Sequence, residues 1–137
     1  MSLKIRVRVD FDAVHSVGPG KIALLERMRD CGSLSQAARE LDMSYRRAWQ
    51  LLDSLNTSFN EPVIVTSVGG KGGGGSEITP LGLALIETYR TLEAEITALA
   101  QQRFKPLRNR VAPAATPGKR AVTKLARGKR GRESKRT

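Results

Sequence analysis

The stretch SLSQAARELDMSYRRAWQLLDSLNTS, residues 33–58, decides the fold. Ser33-Leu34-Ser35-Gln36 has the spacing of a capping box, in which the Ser33 hydroxyl accepts an N–H three residues on and Gln36 reaches back. The short helix that this opens turns Leu34, Ala37, Ala38 and Leu41 inward. Asp42-Met43-Ser44 is a tight turn, and Ser44 caps a further helix running to about Ser58. Placed at about 100° intervals around a helix axis, Ala48, Leu51, Leu52 and Leu55 share one apolar arc. Arg46, Arg47, Gln50 and Ser54 share the opposite one.

Outward from this core, the chain supplies the remaining parts of one small domain. Leu3, Ile5, Val7, Val9 and Phe11 alternate with Lys4, Arg6, Arg8, Asp10 and Asp12, which predicts a half-buried strand. After Gly18-Pro19-Gly20 a helix carries Ile22, Leu25 and Met28 on one face, and Gly32 ends it. Beyond Glu61-Pro62, Val63-Ile64-Val65 and Ser76-Glu77-Ile78 predict the arms of a hairpin around Gly69-Gly70-Lys71-Gly72-Gly73-Gly74-Gly75. Thr79-Pro80 is a cap followed by proline at the first helical position, and it starts a long helix to about Phe104. In that helix Leu85, Tyr89, Leu92, Ile96 and Leu99 are spaced 4-3-4-3, a seam of the kind that pairs two helices.

The expected fold is therefore mainly α with a small β-wing, a winged helix-turn-helix followed by a long dimerisation helix. The expected domains are 1–79 for the winged head, 80–104 for the linker helix and 105–137 for a disordered basic tail. From Lys105 onward twelve lysines and arginines face one acid, Glu133, so the tail carries the whole net charge of +11 and the preceding residues are neutral. The tail has no aromatic residue and no periodicity, too little apolar surface to offset chain entropy. A head without net charge can bind nucleic acid only through a local patch.

The outward arc supplies that patch. Two guanidiniums and an amide at this spacing can enter a major groove, arginine pairing with guanine and glutamine with adenine. An ordinary solvated helix face is the alternative, and the turn before it and the wing after it favour DNA. Ser35 and Gln36 at the start of the shorter helix, and Ser44, Tyr45, Arg46, Arg47, Trp49, Gln50 and Ser54 on the longer one, form the candidate DNA-contact set. Tyr45 is read as a contact to the sugar-phosphate backbone and Trp49 as the rim of the core, each with the other role as its alternative. Lys71 completes the set. The glycine loop lacks the Ser or Thr after lysine and the following helix that a P-loop requires, so exposed N–H groups around Lys71 are read as a wing tip meeting phosphate. A plain flexible connector is the alternative.

Other classes find less support. His15 is the single histidine, and it sits in a connector with no cysteine or second histidine beside it to build a metal site or a Cys–His pair. Neither catalysis nor a cofactor is expected. Cys31 is expected to be a small buried hydrophobe near a helix end and rules out an internal disulfide. No apolar run approaches the roughly 20 residues of a membrane span, and the alternating N-terminus lacks the apolar core of a secretion signal. A cytoplasmic, nucleoid-associated protein is expected. Two further readings stay open: an architectural DNA binder driven by the basic tail through counterion release, and a winged helix that binds a protein partner instead of DNA.

Gly32 to Ala38, Met43 to Trp49, the loop Gly69 to Gly75 and Leu81-Gly82 together resemble the N-terminal DNA-binding domain of ModE-type, molybdate-responsive transcriptional regulators. The resemblance covers roughly residues 3–104 and is carried above all by Ser44-Tyr45, Ala48-Trp49 and the glycine-lysine loop. A looser similarity links the chain to LysR-type winged helices, whose long linker helix pairs two subunits. The resemblance implies a homodimer joined through the helix from Pro80 to Phe104 and reading two half-sites on double-stranded DNA. ModE regulators also carry C-terminal β-barrel domains that bind molybdate. The sequence after Phe104 has no strand pattern, so molybdate binding is not expected of this chain.

Overall fold

A computed structural model describes residues 3–67 and 75–114. The chain divides after Arg103 into two units, which are taken separately.

The first unit is a winged helix-turn-helix, mainly helical with two small antiparallel hairpins. Strands β1 (Val9–Asp10) and β2 (Ser16–Val17) precede helices α1 (Pro19–Cys31), α2 (Leu34–Glu40) and α3 (Tyr45–Ser58). Strands β3 (Ile64–Ser67) and β4 (Gly75–Ile78) form the wing, and α4 (Pro80–Phe104) follows. Proline in the first turn of α1 sacrifices no hydrogen bond, and Gly32 closes the helix at φ 67°, its N–H on the Met28 carbonyl at 2.8 Å. From α1, Ile22, Leu24, Leu25 and Met28 are buried, Leu24 in addition to the three that periodicity picks out. They join Ala37, Ala38, Ala48, Leu51, Leu52, Leu55, Val63 and Ile64 in one core. Cys31, the last residue of α1, is half-buried with its thiol on the Ser33 carbonyl.

The N-terminal strand departs from expectation. Side chains alternate in burial from Leu3 to Asp10, with Val7 buried and Ile5 and Val9 packed against the core. Backbone pairing is confined to Val9 opposite Val17 and Asp10 opposite Ser16. Alternation records which face meets the core, and it needs no ladder partner. Upstream of Val9 the segment is held by side chains instead, the Tyr89 hydroxyl donating to the Val7 carbonyl at 2.6 Å. Between β1 and β2, Asp12 accepts backbone N–H bonds from Val14 and His15 and pairs with the His15 ring at 2.8 Å. The His15 bond, then those from the two N–H groups, lower the Asp12 pKa to about 2. His15 thus orders a tight turn.

Helix α4 is fixed to the head by an ion pair that joins residues 64 positions apart. Arg90 donates to both Glu26 oxygens at 2.8 and 2.7 Å and to Glu93 at 2.6 Å. The Arg90 hydrogen bonds, helped by the fields of Arg90, Arg29 and Arg27, hold the Glu26 carboxyl below its usual 4.5 against the opposing effect of burial. A depressed carboxylate stabilises the fold above its unfolded pKa, and the contribution fades as pH falls through the lowered folded value. Glu26→Gln should therefore flatten the fall of Tm below about pH 4.5, measured by calorimetry across an acid series. Identical acid slopes in the two proteins would show that this pair does not tie α4 down.

In the second unit, Lys105–Arg110 form a short 3-10 helix with no buried residue. These residues belong to the stretch expected to be disordered; Pro106 in the first turn costs no hydrogen bond there, and so short a 3-10 helix needs no core. The rest of the expected tail, residues 115–137, lies outside the described residues.

Candidate nucleic-acid interface

The turn between α2 and α3 is built by local hydrogen bonds. Ser33 caps α2 by accepting the Gln36 N–H at 3.2 Å, but the Gln36 side chain turns forward to Glu40 at 3.0 Å. Only half of the predicted capping box therefore forms, because Glu40 offers a charged acceptor one turn on. Asp42 carries the chain through the left-handed region at φ 59°, a conformation that aspartate tolerates better than most residues. Met43 N–H returns to the Ala38 carbonyl, and the Ser44 hydroxyl caps α3 by accepting from Arg47 N–H at 3.0 Å.

Ala48, Leu51, Leu52 and Leu55 of α3 are buried as expected, which turns Arg46, Arg47 and Gln50 to solvent. Their side chains make no hydrogen bond or ion pair with the described residues. Such an uncommitted cationic face is open to a ligand. Asp53, an acid with no place in the predicted contact set, is exposed on the same arc beyond Gln50. A carboxylate repels phosphate, so the cationic part of the face is confined to the first two turns.

One edge of this face borders the wing. Tyr45 and Trp49 lie there, 56% and 50% exposed. Trp49, read as the rim of the core with a backbone contact as the alternative, lines with Tyr45 an open hollow of about 390 Å³ whose walls include Ser33, Ser35, Thr66 and Ser76. Its walls come from the start of α2, one side of α3 and both wing strands. Ser35 and Gln36 are exposed beside it, as is Ser44, whose hydroxyl is already engaged as the cap.

The other edge differs from the sequence reading. Ser54 is half-buried and accepts a hydrogen bond from Lys21 Nζ at 2.8 Å. The same ammonium donates to the Ser16 carbonyl at 2.8 Å. Burial, reinforced by the fields of Arg8 and Arg47, lowers the Lys21 pKa. No periodicity could have found Lys21, since its partner lies 33 residues away and meets it only after folding.

The wing is anchored to α3 as well as to α1. Asn56 accepts from the Val63 and Ile64 N–H groups at 2.8 and 3.2 Å and donates to the Ile64 carbonyl at 3.2 Å. Ser76 N–H donates to the Gly32 carbonyl at 3.0 Å. The hairpin register runs from Ile64 opposite Ile78 to Ser67 opposite Gly75. Lys71, the predicted wing tip, lies outside the described residues.

The predicted dimerisation seam is divided. Tyr89 is 3% exposed and belongs to the chain's own core. Leu85, Leu92 and Ile96 are partly buried against that core, while Leu99 is 48% exposed. A 4-3-4-3 spacing reports an apolar face without saying whether the same chain or a second one covers it.

Among the described residues no group of histidine, cysteine, aspartate and glutamate could hold a metal ion, and no helix is long and apolar enough to cross a membrane.

No protein-family model matches the chain. It is 36% identical over 90 residues to the molybdenum transport protein ModE of Azotobacter vinelandii, covering 66% of this chain and 33% of that protein. It is 34% identical over 109 residues to the transcriptional regulator ModE of Yersinia pestis, covering 80% and 38%. It is 36% identical over 74 residues to the DNA-binding transcriptional dual regulator ModE of Escherichia coli K12, covering 54% and 28%. The resemblance to ModE-type regulators is thus borne out over the N-terminal part, and the chain spans about a third of the length of these relatives. Partial likeness extends to solved structures of OxyR from Corynebacterium glutamicum, at TM-score 0.45, 21% identity and coverage of 61% and 26%. ArgP from Mycobacterium tuberculosis gives TM-score 0.45, 22% identity and coverage of 62% and 30%.

Proposed function

We propose that this chain reads double-stranded DNA as a transcriptional regulator, with α3 in the major groove. The observation that carries the reading is the uncommitted face of Arg46, Arg47 and Gln50, backed by four buried side chains of the same helix. Arginine can pair with guanine through two hydrogen bonds and glutamine with adenine, and rigid backing keeps their approach reproducible. Tyr45 and Trp49 border the wing-side hollow, where an aromatic body can lie against sugar and its polar tip can reach a phosphate. Ser35 and Gln36 stand beside it, and Lys71 would extend the contact from the wing tip. A nucleoid-bound protein of the cytoplasm belongs to the same reading.

The same reading includes a homodimer paired through the outer part of α4, where Leu92 and Ile96 are half-buried and Leu99 is exposed. Two heads would then meet half-sites about one helical turn apart, 10–10.5 base pairs.

Duplexes selected from a random pool by the full chain test both parts. Arg46→Ala should lose about 1–3 kcal/mol of discrimination at one position of the selected sequence, read by fluorescence anisotropy on matched and substituted duplexes. A duplex with two half-sites should bind more tightly than one with a single half-site. A second reading, a sequence-blind binder driven by the basic tail, is favoured by the concentration of the net charge after Lys105. It predicts equal affinity for selected and scrambled duplexes, and that result would replace the first reading.

A further inference from the structure

We propose that Arg8, Lys21 and Arg47 form a second phosphate-binding border on the side of α3 away from the wing, with Ser54 positioning Lys21. The proposal rests on the reading of α3 as the groove-entering helix and assigns what holds the DNA strand on its far side.

The geometry comes from the helix itself. On the α3 wheel, Tyr45 and Trp49 lie at one edge of the outward face and Arg47 and Ser54 at the other. A major groove is bounded by two backbone strands, so a helix inside it faces phosphates on both edges. The wing edge has its hollow. The opposite edge meets the first turn of α1 and the β1–β2 hairpin, because Lys21 reaches the Ser16 carbonyl and the Ser54 hydroxyl, each at 2.8 Å. Those two bonds use two of the three ammonium donors and leave one. Arg8 lies beside this point: its Cβ and Cγ are 3.9 Å from where a side chain on Gly18, the residue before α1, would begin. Its guanidinium is exposed and pairs with Asp10 at 2.8 Å. Arg47, at the edge of the outward face, adds a third cation from α3 that makes no ion pair with the described residues, and it takes phosphate here while Arg46 and Gln50 face the bases. Burial and the fields of Arg8 and Arg47 depress the Lys21 ammonium. A cluster of like charges of this kind gains most from an anion.

Ser54 takes a different role here from the one its place on the wheel suggested. Its hydroxyl is half-buried and holds Lys21, so it is a positioning residue and not a reader of bases.

The test uses the full chain with its selected duplex and a scrambled duplex of equal length, titrated at several salt concentrations. Lys21→Gln and Arg8→Gln should each reduce the slope of log K against log salt by about 0.9, on both duplexes alike, with the ratio of the two affinities unchanged. Asp10→Asn releases Arg8 and should tighten binding to both duplexes, a gain that a merely structural residue would not give. Ser54→Ala should lower the salt slope and keep base preference, and Ser54→Thr, which retains the hydroxyl, should restore the slope. Unchanged slopes in Lys21→Gln and Arg8→Gln, in a wild-type chain that prefers its duplex, would overturn the border alone. A change of base preference in Ser54→Ala with the slope intact would overturn the role given to Ser54. A wild-type chain that prefers no duplex would overturn the α3 reading, and the border with it. Arg8 is exposed, so its variant decides the matter even where Lys21→Gln fails to fold.

Discussion

Leu55→Ala should lower the unfolding free energy by about 2–5 kcal/mol, the largest loss expected from truncating any leucine of α3. Leu55 is fully buried and lies on the arc that faces the α1 and α2 contributions to the core. Removing three carbons there loses their transfer free energy and leaves a cavity that the hub can close only in part. A domain of this size has roughly 5–15 kcal/mol in all, so the variant stands near the edge of folding. Urea unfolding followed by circular dichroism should show a lower midpoint with an unchanged m-value. DNA selectivity should fall with it, because Arg46, Arg47 and Gln50 keep their direction only while the opposite arc is packed. A loss under about 1 kcal/mol would mean that α3 is not held by its leucines, and the groove reading would lose its frame.

Gly82→Ala should destabilise by about 3 kcal/mol, against what helix propensity predicts. In an exposed helix interior, alanine is favoured over glycine by roughly 1 kcal/mol. Gly82, in the first turn of α4, is buried under the start of the wing. A Cβ there would be driven into the Val63 carbonyl oxygen and stand 2.6 Å from Ile78 Cγ1. The Val63 oxygen cannot retreat freely, since it accepts from the Thr79 N–H at 3.0 Å and the Thr79 hydroxyl at 3.2 Å. That hydroxyl also caps α4 by accepting the Gly82 N–H at 3.1 Å. Overpacking should therefore outweigh propensity. A thermal melt gives the sign directly, and a variant more stable than the wild type would show that α4 does not press on the wing so closely.

The helices were legible because their signals are local. Ser33, Ser44 and Thr79 cap within three residues, Gly32 ends α1 where the left-handed turn requires it, and the α3 wheel separates leucines from arginines. The wing arms followed from the β-branched run Val63-Ile64-Val65 and the short piece ending at Ile78 on either side of a glycine loop. What escaped the sequence was tertiary. Alternation gave the correct buried face from Leu3 to Val9, but Phe11 at its end is 51% exposed, and the ladder was overstated, its partner strand being two residues long. Tyr89 fits a seam by spacing, and a carbonyl 82 residues away claims its hydroxyl for the chain's own core. The bond between Ser54 and Lys21 had no local signal, because only folding brings together two residues 33 positions apart. Asn56, which fastens α3 to the wing with three hydrogen bonds, had no signal beyond being one polar residue in a helix.

The twin fastening of α4, through Tyr89 on Val7 and Arg90 on Glu26, has a mechanical consequence. A linker attached at its root alone would swivel, and two heads could adjust to sites at many separations. Gripped over more than a turn beyond its start, the helix behaves as a stiff lever whose torsion is transmitted to the head. In the paired assembly proposed above, such levers would act like the arms of a caliper, and the distance between two half-sites would become a measured quantity and not an adjustable one.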